Sequence, residues 1–160
     1  MRTVIFICAA VILNVGCDGA GDEQTFFDGD VATRNQRLEA LPLPKQWAIF
    51  KFGNQRRHPP IIGLAAPIAK RGKTAVYYIL GELDRGATDL DIRDSLVVFQ
   101  FAQWNGYYDL CADEVASGKI KSNQFRIKNS EWRNAYGEML SGLCGPDAYK
   151  SGTALPASPG

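Results

Sequence analysis

Histidine is nearly missing from this sequence: its 160 residues contain one, His58. A Ser/His/Asp or Cys/His catalytic system would have to use it. His58 stands before two prolines at an expected helix start, where an imidazole more often bonds locally. Soft metal ligands are scarce too. There are four cysteines, none in a CxxC arrangement, so a zinc site lacks ligands, and no metal or cofactor is expected. No glycine-rich phosphate loop occurs, because "RGKT" (71–74) lacks the upstream glycine spacing. "DLDIRD" (89–94) fails as a calcium loop. Arg93 stands where an oxygen ligand belongs, Asp94 where glycine belongs and Gln100 where an acid belongs. The sequence also lacks an excess of either charge. It has 18 basic and 17 acidic residues, which offers no general footprint for nucleic acid. Its basic cluster, "NQRRH" (54–58), reads as a solvated loop, with an anion or lipid-headgroup site as the alternative. Finally, no apolar run reaches the roughly 20 residues a membrane-spanning helix needs.

What is present begins with a shorter apolar run. Arg2 supplies a positive charge, and Thr3 to Leu13 is apolar over about eleven residues, the length of a signal-peptide core. Val15-Gly16-Cys17 then resembles the lipobox of bacterial lipoproteins, with Asn14 where a leucine-like residue is usual and Leu13 beside it. The resemblance implies removal of residues 1–16, acylation of Cys17 and a membrane-anchored protein facing the periplasm or exterior. Asp18 resembles an inner-membrane retention signal. The alternatives are an ordinary secretory signal cut after Cys17 or Gly19, or an uncleaved anchor. Residues 17–30, opening with "CDGAGDEQ", are small and acidic and read as a flexible tether. One domain is expected over residues 31–145, and "PDAYKSGTALPASPG" (146–160) reads as a disordered tail.

Within that domain the hydrophobic period is helical. "PKQWAIFKFGNQ" (44–55) predicts a helix, although residues 47–52 also suit a strand. In "PPIIGLAAPIAKRG" (59–72), Ile61, Leu64, Ala65 and Ile68 mark one face of a helix that Pro67 should kink. Val76, Ile79, Leu80 and Leu83 mark the next, over 73–86. Ile92, Leu96, Phe99 and Ala102-Gln103 mark a third, over 88–106, with Thr88 or Asp89 as its cap. "GYYDLCADEVASG" (106–118) should open a third pair, and "GKIKSNQFRIKN" (118–129) reads as a polar connection or extended hairpin arm. Ser130 should cap a last helix over 130–145, with Trp132, Tyr136, Met139, Leu140 and Leu143 on one face. The expectation is an all-α domain of about three stacked antiparallel helix pairs, a short solenoid or a bundle.

Gly72, Gly106 and Gly142 each close an expected helix, roughly 35 residues apart, a period found in stacked helix pairs. Gly72, Ala75, Val76, Ile79 or Leu80, Leu83, then Asp89 or Asp91, Ile92 and Arg93 resemble a bacterial HEAT repeat. If the last two helices pack antiparallel, as such a pair must, the start of one meets the end of the other. Cys111 and Cys144 then come within the short reach of a disulfide. Export favours that bond, and as a pair they leave little room for a cysteine nucleophile.

Stacked helix pairs present ridged surfaces that bind protein segments. The sequence therefore favours a non-catalytic binding or adaptor module with a protein partner in the envelope. One specific form is an immunity protein that blocks a rival's toxin. No small-molecule substrate is evident. The alternative is a small periplasmic or cell-wall hydrolase with paired carboxylates drawn from Glu82, Asp84, Asp109, Asp113 and Glu114.

Overall fold

A computed structural model describes residues 21–145. The signal segment, Cys17, Asp18 and the 146–160 tail lie outside the described residues. Among those residues the chain is all-helical, with no strand. Its α-helices are α1 (Gly21–Asp28), α2 (Arg34–Glu39), α3 (Leu43–Arg56), α4 (Ala65–Ala69), α5 (Lys73–Asp84), α6 (Asp89–Trp104), α7 (Glu114–Asn123) and α8 (Ser130–Ser141). Short 3-10 turns cover Ile62–Leu64 and Gln124–Arg126.

The bundle is organised around α6, which packs against α3, α4, α5 and α8. Its start is well determined. Thr88 accepts from the Asp91 backbone N–H at 3.2 Å, and the Asp91 carboxylate accepts in return from the Thr88 N–H at 3.0 Å. That reciprocal pair satisfies two donors that a helix start otherwise leaves open. Ile92, Leu96, Phe99, Ala102 and Gln103 are buried, as their period predicts. Asp94, Ser95, Val98 and Gln100 are buried as well, because neighbours cover α6 on several sides rather than along one stripe.

α3 resolves the helix-or-strand alternative. Leu43, Gln46, Trp47, Phe50, Gly53 and Asn54 are buried at helical spacing, and Pro44 sits in the first turn, where its missing N–H costs nothing. The basic cluster is only in part the solvated loop expected: Arg56 and His58 are exposed, but residues 54–56 belong to α3. Asn54 and Gln55 lie in the last turn of α3 and donate to the buried Asp94 carboxylate of α6 at 2.6 and 2.8 Å. Arg93 donates to the same carboxylate from Nε and Nη2, at 2.9 and 2.7 Å.

Other boundaries differ for physical reasons. Residues 59–72 do not form one kinked helix. A proline ring clashes with the carbonyl four residues earlier, so Pro67 sets where a helix can begin. α4 starts at Ala65, leaving Pro67 in its first turn without a kink, and a 3-10 turn precedes it. Leu64, Ala65 and Ile68 are nonetheless buried and Ile61 packs partly against them. Residues 118–129 are not a polar arm. α7 continues to Asn123 because Ala116 and Ile120 bury one stripe, and Ile127 closes the turn beyond it. The cap of α8 is Asn129, whose Oδ1 accepts from the Trp132 N–H at 3.0 Å, rather than Ser130. Segment 106–113 is a turn, not a helix opening.

The expected tether over 17–30 also contains structure. α1 lies inside it and packs on α3. Phe26 and Phe27 are buried, with Phe27 stacked on Phe52 at 5.7 Å between centroids. Gly53 makes room for this contact, since a Cβ there would lie 2.7 Å from the Phe27 ring. The folded unit therefore reaches back to Gly21.

Candidate functional site

The turn between α6 and α7 is held on several sides. The Tyr107 and Tyr108 N–H groups donate to the Ala102 carbonyl at the end of α6, at 2.9 and 3.2 Å. The buried Gln103 side chain accepts from the Leu110 N–H at 2.7 Å and the Cys111 N–H at 3.3 Å. Asp109 Oδ1 accepts from the N–H groups of Cys111 and Ala112, both at 3.1 Å, a local turn that Asp supports well. Leu110 is fully buried. The Cys111–Cys144 disulfide, with a Cα separation of 5.7 Å, ties the turn to the chain just past α8. The expected pairing is therefore present, although Cys111 precedes α7 instead of lying in its first turns. With both sulfurs bonded, neither cysteine is a thiol nucleophile here.

Asp113 then links this turn to α5. It caps α7, with Oδ1 accepting from the Ala116 N–H at 3.0 Å. Its other oxygen accepts from the Tyr77 hydroxyl of α5 at 2.8 Å and from the Tyr108 hydroxyl. The Tyr108 hydroxyl, then the Ala116 N–H and the Tyr77 hydroxyl, hold the Asp113 carboxyl down at about 2. The same bond pushes Tyr108 up to about 12. Tyr77 is raised for the same reason.

These groups line a shallow, open depression between α5, the turn and the start of α7. Lys73, Tyr77, Tyr108, Asp109, Asp113, Glu114 and Val115 form most of it. Val115 is 61% exposed and Tyr77 37%, while Tyr107 and Trp104 on the adjoining chain are also exposed. Lys73 Nζ lies 5.4 Å from the Tyr77 ring centroid. Three carboxylates face one ammonium, so the rim is net acidic. Exposed tyrosine and valine with an acidic rim suit a cationic segment that brings apolar carbon with it.

Of the five carboxylates that a hydrolase pair could draw on, the depression gathers Asp109, Asp113 and Glu114, and two of these have structural roles. Asp109 supports a turn and Asp113 caps a helix. Glu82 and Asp84 lie elsewhere: Glu82 pairs with Arg85, and Asp84 accepts from Lys119 at 2.6 Å. His58 is exposed past the end of α3. No three His, Cys, Asp or Glu side chains among the described residues are grouped to hold a metal ion. No helix there is long and apolar enough to cross a membrane. Sequence reasoning missed Tyr77 and Tyr108. Tyr77 falls off the buried stripe of α5, and that position is the one signal the sequence offers for it.

Asp113 has a depressed folded value, so its contribution to stability is complete above its ordinary value of 3.8 and is lost as pH falls through about 2. A carboxyl-carbon NMR titration should place its midpoint near that lower value. A Tyr77→Phe/Tyr108→Phe variant should move the midpoint upward, and an unmoved midpoint would refute the tyrosine assignment.

Gly72 brings the start of α5 against the same turn. Its φ of 56° and ψ of −131° suit glycine, and a Cβ there would lie 2.7 Å from the Tyr107 carbonyl. Gly72→Ala should cost about 1–3 kcal/mol in denaturant unfolding and shift the Tyr107–Tyr108 resonances. An unchanged midpoint would contradict this close approach.

The chain matches no protein-family model, no curated protein and no solved structure.

Proposed function

We propose that this chain is a lipid-anchored cell-envelope protein whose helical domain is a non-catalytic binding module. It docks a basic segment of a protein partner at the depression formed by Tyr77, Tyr108 and Val115. The observation that carries this reading is the braced turn, which with α5 and the start of α7 frames exposed Tyr77 and Val115 within an acidic rim. A rigid aromatic surface loses little conformational entropy on binding, so its contacts turn into affinity efficiently. An immunity-type inhibitor of a toxin is one form the module takes under this reading. Anchoring rests on the lipobox-like Val15-Gly16-Cys17.

The hydrolase reading has less support. A general acid needs a raised value, and Asp113 is held in the opposite direction.

Two variants test the binding. Tyr77→Ala and Val115→Lys should each reduce retention of the partner from envelope extract by about tenfold, with the helical spectrum unchanged. Equal retention by both variants and the parent chain would overturn the site. Cys17→Ser tests the anchor separately: it should release the protein from membranes or leave it uncleaved.

A further inference from the structure

A second cluster, of opposite charge, surrounds the aromatic pair of α1. Arg34 of α2 and Arg57 at the end of α3 both lie over the Phe27 ring, with guanidinium carbons 5.4 and 5.2 Å from its centroid. Arg37 lies over Phe26 at 4.7 Å and donates from Nη2 to the Phe26 and Asp30 carbonyls, both at 3.1 Å. Arg37 is therefore a clamp on the α1–α2 turn. Arg34 and Arg57 have no such employment. Arg34 Nε, Arg57 Nε and Arg57 Nη2, like Arg37 Nε, are buried and have no hydrogen-bond acceptor, but neither Arg34 nor Arg57 has the backbone bonds that Arg37 makes. Among the described residues no carboxylate lies within ion-pair distance of either guanidinium.

Buried guanidinium donors without acceptors are costly, and two like charges on one ring add to that cost. An anion with several oxygens on one centre relieves both. Arginine's planar fork matches phosphate oxygens two at a time. We infer that Arg34 and Arg57, set against Phe27, form a binding site for a phosphate group, carried by free phosphate or by a phospholipid headgroup. Glu23 is the internal competitor. It lies one turn before Phe27 on α1, on the same helix face, and its Oε2 is buried without a partner. The headgroup source rests on the anchored reading. Gly21 lies four positions after Cys17, a reach of at most about 14 Å, so an acylated Cys17 would hold α1 near the bilayer. Binding of phosphate itself does not depend on that reading or on the Tyr77 site.

The test uses the full chain in nonionic detergent, titrated with inorganic phosphate and, at equal ionic strength, with chloride. Thermal unfolding is the readout, since a ligand of the native state raises the midpoint as its concentration rises. Phosphate and not chloride should raise the midpoint. An Arg34→Gln/Arg57→Gln variant, checked for fold by circular dichroism, should bind phosphate about tenfold more weakly or worse. Arg85→Gln, on the exposed Glu82 pair, should bind as the parent does. If the double variant does not fold, the parent chain's preference for phosphate over chloride, with shifts at the Arg34 and Arg57 Nε–H resonances, decides the matter. The second arm adds phosphatidylglycerol to the nonionic detergent micelles, in phosphate-free buffer, with micelles free of phospholipid as the control. A midpoint raised by phosphatidylglycerol assigns the headgroup as source. A response to inorganic phosphate alone assigns free phosphate. No response to either, or the same response in the double variant, overturns the site and leaves Glu23 as the counter-ion.

Discussion

Asp94→Ala should destabilise the domain by about 3–5 kcal/mol, the cost of removing one side of a buried charged network. Asp94 is fully buried on the central helix, α6. Its carboxylate receives two bonds from Arg93, one from Asn54 and one from Gln55. Truncation removes four acceptor contacts at once. Asn54 is itself 5% exposed, and its Oδ1 already lacks a partner, so it has nowhere to turn. Arg93 is partly exposed and can reach water, which places the loss below the sum of the individual bonds. Asp94→Asn should cost less than alanine, because it retains one acceptor and the volume while turning an Nδ2 donor towards other donors. Urea unfolding measures both. A loss under about 1 kcal/mol for the alanine variant would mean that α3 and α6 are joined by apolar packing alone.

Removing the Cys111–Cys144 bond is expected to have an effect of similar size. The bond closes a loop with a sequence separation of 33. On the chain-entropy account, such a loop contributes about 3–4 kcal/mol by restricting the unfolded chain. The bond also joins the turn that presents Tyr108 and Asp113 to the chain end beyond α8. Reduction should therefore lower the unfolding midpoint and, in chains that stay folded, weaken partner retention through Tyr77. Cys111→Ser/Cys144→Ser should reproduce both effects. Equal stability of oxidised and reduced chains would show that the turn is held by Gln103, Leu110 and Asp109 without it.

Much of this architecture is legible in the sequence. The stripes of α5 and α6 recur every three or four residues, and each is buried as its spacing predicts. The cysteine pairing is legible from where two helices end, because that argument needs only a meeting of termini. Short-range patterning fails where burial comes from a few residues. α1 offers Phe26 and Phe27 in an otherwise polar stretch, too little for a period, and its partner Gly53 is distant in sequence. α7 buries Ala116 and Ile120 beneath a polar exterior, so composition reads it as a connection. The site is the least legible part. Tyr77 and Asp113 meet across 36 residues, and no local pattern announces a hydroxyl aimed at a distant helix cap. The Asp94 network is of the same kind, joining residues about 40 apart that read individually as solvated polar positions.

A photo-crosslinking amino acid placed at Val115, in cells, tests the binding surface most directly. Val115 is exposed on the rim of the depression, and Phe125, 81% exposed on the 3-10 turn after α7, is the control position. Irradiation should join one envelope protein to the chain from position 115, and that adduct should be lost with Tyr77→Ala and absent from position 125. No adduct from position 115, or the same adduct from both positions, would contradict a partner docked on the Tyr77–Tyr108 depression.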